Sequence, residues 1–307
     1  MRLAVTGGAG FIGGHFVERL AATRPGRILV IDNLSRACMV EPEFGLANVM
    51  FTRVDIRNRA AVRDALLGCD IVFHLAAQSN VIGAVRNAQY AFDTNVRGTF
   101  NVLEAAKHAG VKRFVFTSSR EVYGEPDRLP VQESSPANPK NAYGVSKLAG
   151  EFYCRLAAAE GLETVILRLA NVYGPRDRDR VIPTFINAAR NGSQLTVYGG
   201  QQLLDFVWIE TVLDALMKAG FDRWVEEPVN IGSGTGTTVL ELAERIISLF
   251  GSDSPIRVSP TRGVEVSRFV ADVRQAQRFW KLPTPTDPLM YLSQLAGTPD
   301  RSPTVFA

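Results

Sequence analysis

The sequence predicts an α/β fold: a doubly wound parallel sheet followed by a smaller α/β lobe. Three observations predict it. Short, wholly apolar runs alternate with helical patterns through the first half of the chain, and strands apolar on both faces belong to parallel sheets covered by helices. The first such run ends in a glycine cluster, TGGAGFIG at 6–13, where a strand should turn into a helix. After Asn171 the regular alternation gives way to charged, turn-rich segments with shorter strands.

Each element has its own justification. RLAVT at 2–6 is a buried strand, and FIGGHFVERLAAT at 11–23 carries apolar residues at helical spacing. RILVID at 27–32 and VMFTRVD at 49–55 are the next strands, AVRDALL at 61–67 is a helix, and DIVFHLA at 70–76 is a fourth strand. A long helix is expected over 91–110, stopped by Gly110. RFVFTSS at 113–119 is a fifth strand, 141–161 a helix, and TVILRLAN at 164–171 a sixth strand. Beyond them, helices are expected over 183–192 and near 210–220 and 238–250, with short strands near 195–198 and 204–208. The division that follows is a dinucleotide-binding domain over 1–171, to which 204–233 returns, and a substrate lobe made mainly of 172–307. The tail 283–307 holds five prolines and is expected to be loose.

Composition narrows the function. Of 307 residues, 46% are hydrophobic and 21% charged, and 34 basic against 31 acidic groups leave a net charge of +3. The basic residues are scattered, so no nucleic-acid stripe is implied. The three cysteines, Cys38, Cys69 and Cys154, lack metal or redox spacing, and His15, His74 and His108 never cluster. A metal site or a Ser-His-Asp triad is therefore not expected. No apolar run reaches membrane-spanning length, and Met1 leads straight into a strand, so a soluble, cytoplasmic protein is expected.

The glycine cluster carries the first functional signal. Gly7 permits a tight turn, Gly10 lets the backbone approach a pyrophosphate, and Gly13 lets helix and strand lie close. Amides at the helix start then face the phosphates. Asp32, about 20 residues on at the end of the second strand, suits the adenosine ribose and would repel a 2′-phosphate, which favours NAD over NADP. Arg36 is the residue that would argue for NADP; a solvated loop charge is its plainer reading. Asp55, ending the third strand, is either an adenine cap or a turn aspartate.

Tyr143 and Lys147 lie four apart on a predicted helix, so they share a face. An ammonium beside a phenol favours the phenolate, a cationic nicotinamide nearby would push the same way, and the phenolate then accepts a proton from a sugar hydroxyl near neutral pH. The motifs TGGAGFIG, HLAAQ at 74–78, TSSREVYG at 117–124, YGVSK at 143–147, NVYGP at 171–175 and NIGSG at 230–234 occur in this order over roughly residues 1–280. In these the chain resembles the extended short-chain dehydrogenase/reductases of the nucleotide-sugar epimerase and dehydratase group.

That resemblance implies a Rossmann domain holding NAD, a UDP-sugar substrate and a homodimer built on the helices at 91–110 and 141–161. It implies Tyr143 as base, Lys147 as its electrostatic helper and Ser119 as the hydrogen-bonding partner of the reacting hydroxyl. Phe11, Ile12, Asn33, Ile56, Leu75, Ala76, Ala77, Asn95 and Thr117 match cofactor-lining positions. Ser79, Asn171, Val181, Ile182, Phe185, Tyr198 and Arg262 match positions around the nucleotide sugar.

Two departures bear on the reaction. Leu204-Asp205-Phe206 stands where many relatives have an Arg-Asp-Phe run, and Arg176, Arg178 or Arg180 would have to replace the lost arginine. Arg178 is also the candidate to hold a substrate carboxylate. In relatives that eliminate water, the segment at 119–124 resembles T-D-E-V-Y-G, with the aspartate as acid and the glutamate as base. Here Glu121 is kept but Arg120 replaces the aspartate, and an arginine does not give up its proton. Epimerisation at C4 needs neither group and is the preferred reading. Dehydration or decarboxylation through Glu121 is the alternative, and a non-catalytic dinucleotide-binding protein a weaker one.

Overall fold

The computed structural model describes residues 1–38, 45–178 and 180–297. The chain begins β1 (Arg2–Thr6), α1 (Phe11–Thr23), β2 (Arg27–Asp32), β3 (Val49–Arg53), α2 (Arg59–Leu66) and β4 (Ile71–His74). It continues α3 (Val81–Arg86), α4 (Ala88–Phe92), a π-helical turn (Asp93–Gly98), α5 (Thr99–His108), β5 (Arg113–Ser119) and a 3-10 turn (Arg120–Tyr123). Then come α6 (Ala142–Ala159), β6 (Glu163–Leu169), β7 (Asn171–Tyr173), α7 (Val181–Arg190), β8 (Leu195–Tyr198), β9 (Leu203–Trp208) and α8 (Ile209–Phe221). The last elements are β10 (Val229–Ile231), β11 (Gly236–Thr238), α9 (Val239–Phe250), β12 (Ile256–Ser259), α10 (Arg274–Trp280) and α11 (Leu292–Ala296).

Seven parallel strands form the main sheet in the order β10-β6-β5-β4-β1-β2-β3. The order reverses between β1 and β4, and a crevice opens there beyond the carboxyl ends of the strands. Strand residues such as Ala4, Val5, Val30, Val72, Phe73, Val115 and Phe116 are wholly buried, as expected of a sheet with helices on both faces. A three-stranded sheet, β11-β9-β7, and a two-stranded one, β12-β8, form the second lobe.

Three sequence expectations are corrected. The single helix expected over 91–110 is α4, a π-helical turn and α5; the wider turn buries Thr94 and Asn95 against the sheet end. The loop before it contains α3, capped by Asn80, whose side chain accepts from the Gly83 amide at 2.7 Å. The tail is not loose through 297: Leu289, Leu292 and Leu295 are buried, and Tyr173 donates to the Pro288 carbonyl at 2.6 Å. Prolines there end helices without preventing packing. Residues 298–307 lie outside the described residues.

Behind the sheet end lies a buried polar cluster. Glu151 of α6 is fully buried and receives Arg168 of β6 in a two-pronged contact at 2.9 and 2.7 Å, while Ser118 donates to it at 2.5 Å. Arg168 also donates to the Tyr123 hydroxyl at 2.9 Å, and Tyr123 to Asn230 at 2.7 Å. Five elements, β5, the 3-10 turn, α6, β6 and β10, are thus tied, all but the Tyr123–Asn230 link by charge-assisted bonds. Removing one partner leaves a charge buried alone, so Glu151→Ala should cost about 3–5 kcal/mol. Urea unfolding reads this directly, and an unchanged midpoint would show the cluster contributes nothing.

Candidate active site

A cleft of about 1640 Å³ runs from the glycine turn after β1, over the ends of β4 and β5, to the rim formed by α7 and β8. At its first end the backbone geometry is that of a phosphate cradle. Gly7 has φ 71°, and a Cβ there would lie 2.6 Å from the Ala76 amide nitrogen. A Cβ on Gly13 would lie 2.1 Å from the Gly7 carbonyl oxygen. Gly10, the N-cap of α1, brings no side chain to the first-turn amides, which leaves them to meet an anion. Asp32 lines the groove and accepts from the Ala9 and Leu34 amides at 3.0 and 2.8 Å, with burial pushing its carboxyl up.

Two expected cofactor residues face elsewhere. Asp55 is clamped by Arg57 at 2.9 and 2.7 Å and receives Asn33 at 2.9 Å; the Arg57 guanidinium holds its carboxyl well below the usual range. Val54 and Ile56 on either side line the cleft, while Asp55 does not. Asn95 also stays behind the wall: it accepts from the Gln78 amide at 2.7 Å and donates to Ser146 at 2.9 Å. It therefore joins the loop after β4 to α6. Phe11, Ile12, Asn33, Leu75, Ala76, Ala77, Ser79 and Thr117 all line the cleft as expected from sequence.

At the centre, the end of β5 meets the first turns of α6. Asn141 caps α6, its side chain accepting from the Gly144 amide at 2.8 Å. Ser119 accepts from the Glu121 amide at 3.2 Å and stands close enough to the Tyr143 phenol to lower its pKa. Lys147 donates to the Thr117 carbonyl at 2.8 Å, and its ammonium lies 6.0 Å from the centroid of the Tyr143 ring. Burial dominates both groups. It pushes Tyr143 up to about 12, against the lowering by Ser119, Arg180 and Arg120. It pulls Lys147 down to about 8. In the chain without cofactor, loss of water around the phenol thus outweighs the guanidinium groups of Arg180 and Arg120; the expectation joined the charge of a nicotinamide to that of Lys147 and concerns the loaded site.

Glu121 is buried with both oxygens engaged, one by Arg120 at 2.9 Å and the other by Asn141 at 2.6 Å. Arg120 reaches Asn171 at 3.3 Å, and Asn171 donates to the Asp205 carbonyl at 3.0 Å. The three arginines left open by sequence separate clearly. Arg176 pairs with Glu18 at 2.6 Å, and Arg178 points to the carbonyls of Ala37 and Cys38 at 3.4 and 3.3 Å. Arg180 pairs with Asp177 at 2.7 Å and is the one of the three that acts on Tyr143. At the far rim Arg262 stacks on Tyr198, 3.7 Å from the ring centroid, near Val181, Ile182 and Phe185. Leu204 lines the cleft, whereas Asp205 is buried and accepts from Ser233, Gly234 and Ala271.

Comparison with known proteins gives the setting. The profile of the NAD dependent epimerase/dehydratase family matches residues 3–232. The UDP-glucose 4-epimerase of Mycolicibacterium smegmatis is 34% identical over 289 residues, covering 90% of this chain and 91% of its own. Among solved structures, the dTDP-glucose 4,6-dehydratase of Streptomyces venezuelae with NAD bound superposes with a TM-score of 0.90 at 31% identity, over 96% of each chain. The UDP-glucose 4-epimerase of Thermotoga maritima with UDP-glucose does so with a TM-score of 0.89 at 32% identity, over 95% of this chain and 96% of that one.

This chain belongs to the NAD-dependent epimerase/dehydratase family. It is an extended short-chain dehydrogenase/reductase whose cofactor is NAD. The cradle fits that group: Gly7 and Gly13 have no room for a Cβ, the α1 amides face the groove, and Asp32 stands at its adenosine end. Among the described residues no helix is long and apolar enough to cross a membrane, and no group of three or more His, Cys, Asp or Glu is placed to hold a metal. Sequence reasoning passed over Thr94 and Glu265, which line the cleft from a π-helical turn and an irregular loop. Neither belongs to a motif, so only the fold reveals them.

His74 sits beneath the cofactor groove. The Ala76 amide donates to the Thr6 hydroxyl at 3.3 Å, so Thr6 is free to donate to His74 Nδ1 at 2.7 Å, and Nε2 then donates to Thr99 at 2.9 Å. Burial, then the Lys147 ammonium, pull its pKa from 6.5 down to about 3. A base with a lowered native pKa contributes stability that is complete above its unfolded value and is lost as pH falls below it. Between pH 6.5 and 4 this group should cost about 1.4 kcal/mol per pH unit. Chemical unfolding at pH 7 and pH 5 should show a smaller loss for His74→Gln than for the parent chain; equal losses would contradict this. In the same cleft, Gly13→Ala should abolish NAD binding measured by fluorescence titration, and retained affinity would contradict the cradle.

Proposed function

We propose that this chain epimerises a UDP-sugar at C4 through a transient 4-keto sugar. The observation that carries this reading is the state of Glu121. Both its oxygens are engaged, by Arg120 and Asn141, and the neighbour that would have to act as acid is a guanidinium. Ser119, Tyr143 and Lys147 are meanwhile complete and contiguous. Dehydration or decarboxylation through Glu121 is the second reading, favoured by the burial of that carboxylate close enough to act on the phenol.

When bound, NAD would supply a hydride acceptor, later a hydride donor, and a positive charge while it is oxidised. Tyr143, as phenolate, takes the proton of the C4 hydroxyl, and Ser119 holds that hydroxyl by a hydrogen bond. Lys147 stabilises the phenolate with a charge fixed by the Thr117 carbonyl. After the keto sugar turns over, Tyr143 returns the proton to the oxygen on the other face. No acid or base at C5 or C6 takes part, and no cofactor is consumed. Thr117, Leu75, Ala76 and Ala77 would line the nicotinamide end, Asn171 and Arg262 would meet the diphosphate, and Val181, Ile182, Phe185 and Tyr198 would hold the nucleotide base. The lobe after residue 172 would thus carry most of the substrate contacts, and the domain before it the cofactor.

A homodimer belongs to the same proposal. Val145, Phe152 and Leu156 form an exposed apolar stripe on the face of α6 opposite Tyr143 and Lys147, with exposed Phe92 on α4. A second copy burying that stripe would rest directly behind the catalytic helix.

Incubation with UDP-glucose, UDP-N-acetylglucosamine and UDP-glucuronate, followed by chromatography and mass analysis, tests the reading. An isomer of unchanged mass is expected; loss of water or of carbon dioxide would replace it by the second reading. Tyr143→Phe should lower kcat by about a thousandfold, whereas Glu121→Gln should keep kcat within about tenfold of the parent. Equal losses in the two variants would make Glu121 a catalytic group.

A further inference from the structure

Arg120 is a charged group beside the reacting centre that the epimerisation above leaves without a task. It is nine-tenths buried, lines the cleft and follows Ser119 directly. Its Nη2 meets Glu121 at 2.9 Å and its Nε meets Asn171 at 3.3 Å. Its Nη1 is buried and has no hydrogen-bond partner. A guanidinium carries five donors and no acceptor, and a buried donor left unmatched is costly. The Phe269 ring, its centroid 5.9 Å from the guanidinium carbon, gives the charge a distant aromatic face but offers Nη1 no lone pair.

The surroundings say what kind of acceptor would match. Around the Tyr143 phenol, the guanidinium groups of Arg120 and Arg180 and the Lys147 ammonium stand against the single carboxylate of Glu121. Glu121 is itself shared with Asn141 and does not use up the fork of Arg120. Arg180 has Asp177 as partner and Glu265 lies 3.9 Å from Arg262, so Arg120 is the arginine with a nitrogen still to satisfy at the sugar end. A neutral hydroxyl accepts weakly, while a carboxylate takes the planar fork and adds charge. Arg120 follows Ser119 and lines the same cleft as Tyr143, so a pyranose with its reacting carbinol between Ser119 and Tyr143 would turn the substituent of the adjoining ring carbon toward residue 120.

We propose that Arg120 is a specificity residue that selects a nucleotide sugar bearing a carboxylate on the carbon attached beside the reacting carbinol, a uronate in place of a neutral hexose. The assignment rests on the epimerase reading of the same cleft. In the complex the guanidinium pivots about its Nη2 contact with Glu121, giving up the 3.3 Å contact of Nε with Asn171 so that Nη1 meets the carboxylate. Arg178, the earlier candidate for this task, is occupied by backbone carbonyls at the cofactor end.

Equilibrium binding tests the assignment independently of turnover. Isothermal titration of the NAD-loaded protein with UDP-glucuronate and with UDP-glucose should show the uronate bound about tenfold more tightly. Equal binding, or a preference for the hexose, overturns the role of Arg120 whatever product the enzyme makes. In Arg120→Gln the ratio of the two affinities should fall toward one. The paired exchange Arg120→Gln with Glu121→Gln gives the same readout without leaving Glu121 buried and unpaired, should the single variant fail to fold. A ratio that survives the paired exchange also overturns the assignment. Product analysis separates the two levels: an isomer of equal mass from either sugar keeps the epimerase reading even if the preference is absent, and failure of both sugars to bind removes both.

Discussion

A buried ammonium fixes the chemistry of this cleft. Lys147 has lost its water, donates to the Thr117 carbonyl at 2.8 Å, and faces Tyr143 one helical turn before it. Burial pulls the lysine down to about 8 and pushes the tyrosine up to about 12. The two shifts share one cause: each charged form is expensive where water is excluded. Lys147 still holds its proton at neutral pH, so the site keeps a positive charge in reserve. On the proposed reading, the phenolate that would answer that charge forms when bound NAD brings further positive charge beside it. A tyrosine that becomes a base only in the loaded enzyme does not react unproductively without its cofactor.

The scaffold explains how such a costly arrangement is held. Ser118 and Ser119 end β5, and the fully buried Glu151–Arg168 pair ties that end to α6 and β6. Breaking such a pair is expensive because the survivor stays buried, so the strand end and the catalytic helix move together or not at all. Asn95 adds a second tie, from the loop after β4 to Ser146, which in turn donates to the Tyr143 carbonyl at 2.8 Å. On the substrate side, Arg120 takes the place of a proton donor with a group that never deprotonates. On the proposed reading that exchange shifts residue 120 from acid–base work to recognition, with Glu121 as its counterion at 2.9 Å.

The parallel sheet was legible because its strands are apolar on both faces, and the cofactor turn because Gly7, Gly10 and Gly13 follow a strand and open a helix. Tyr143 and Lys147 were legible from helical spacing joined to the order of the surrounding motifs. What escaped has physical reasons. A helical pattern over 91–110 does not show that one turn widens to bury Thr94 and Asn95, because apolar spacing at this length tolerates an added residue. Asp55 looked like a ligand from its strand-end position, but Arg57 two residues on captures it. The direction of the Tyr143 shift depends on burial by distant segments, which spacing cannot express. Prolines in the tail suggested looseness, whereas Leu289, Leu292 and Leu295 anchor it.

The central claim is that the Tyr143 phenol, held protonated by burial, becomes a base when NAD joins the Lys147 charge beside it. Ultraviolet difference titration of the protein against its Tyr143→Phe variant, with and without saturating NAD, measures this directly. The account predicts a phenol titrating at about 12 without cofactor and well below that with it, toward the range a general base requires. A phenol that titrates at the same pH in both states would contradict it.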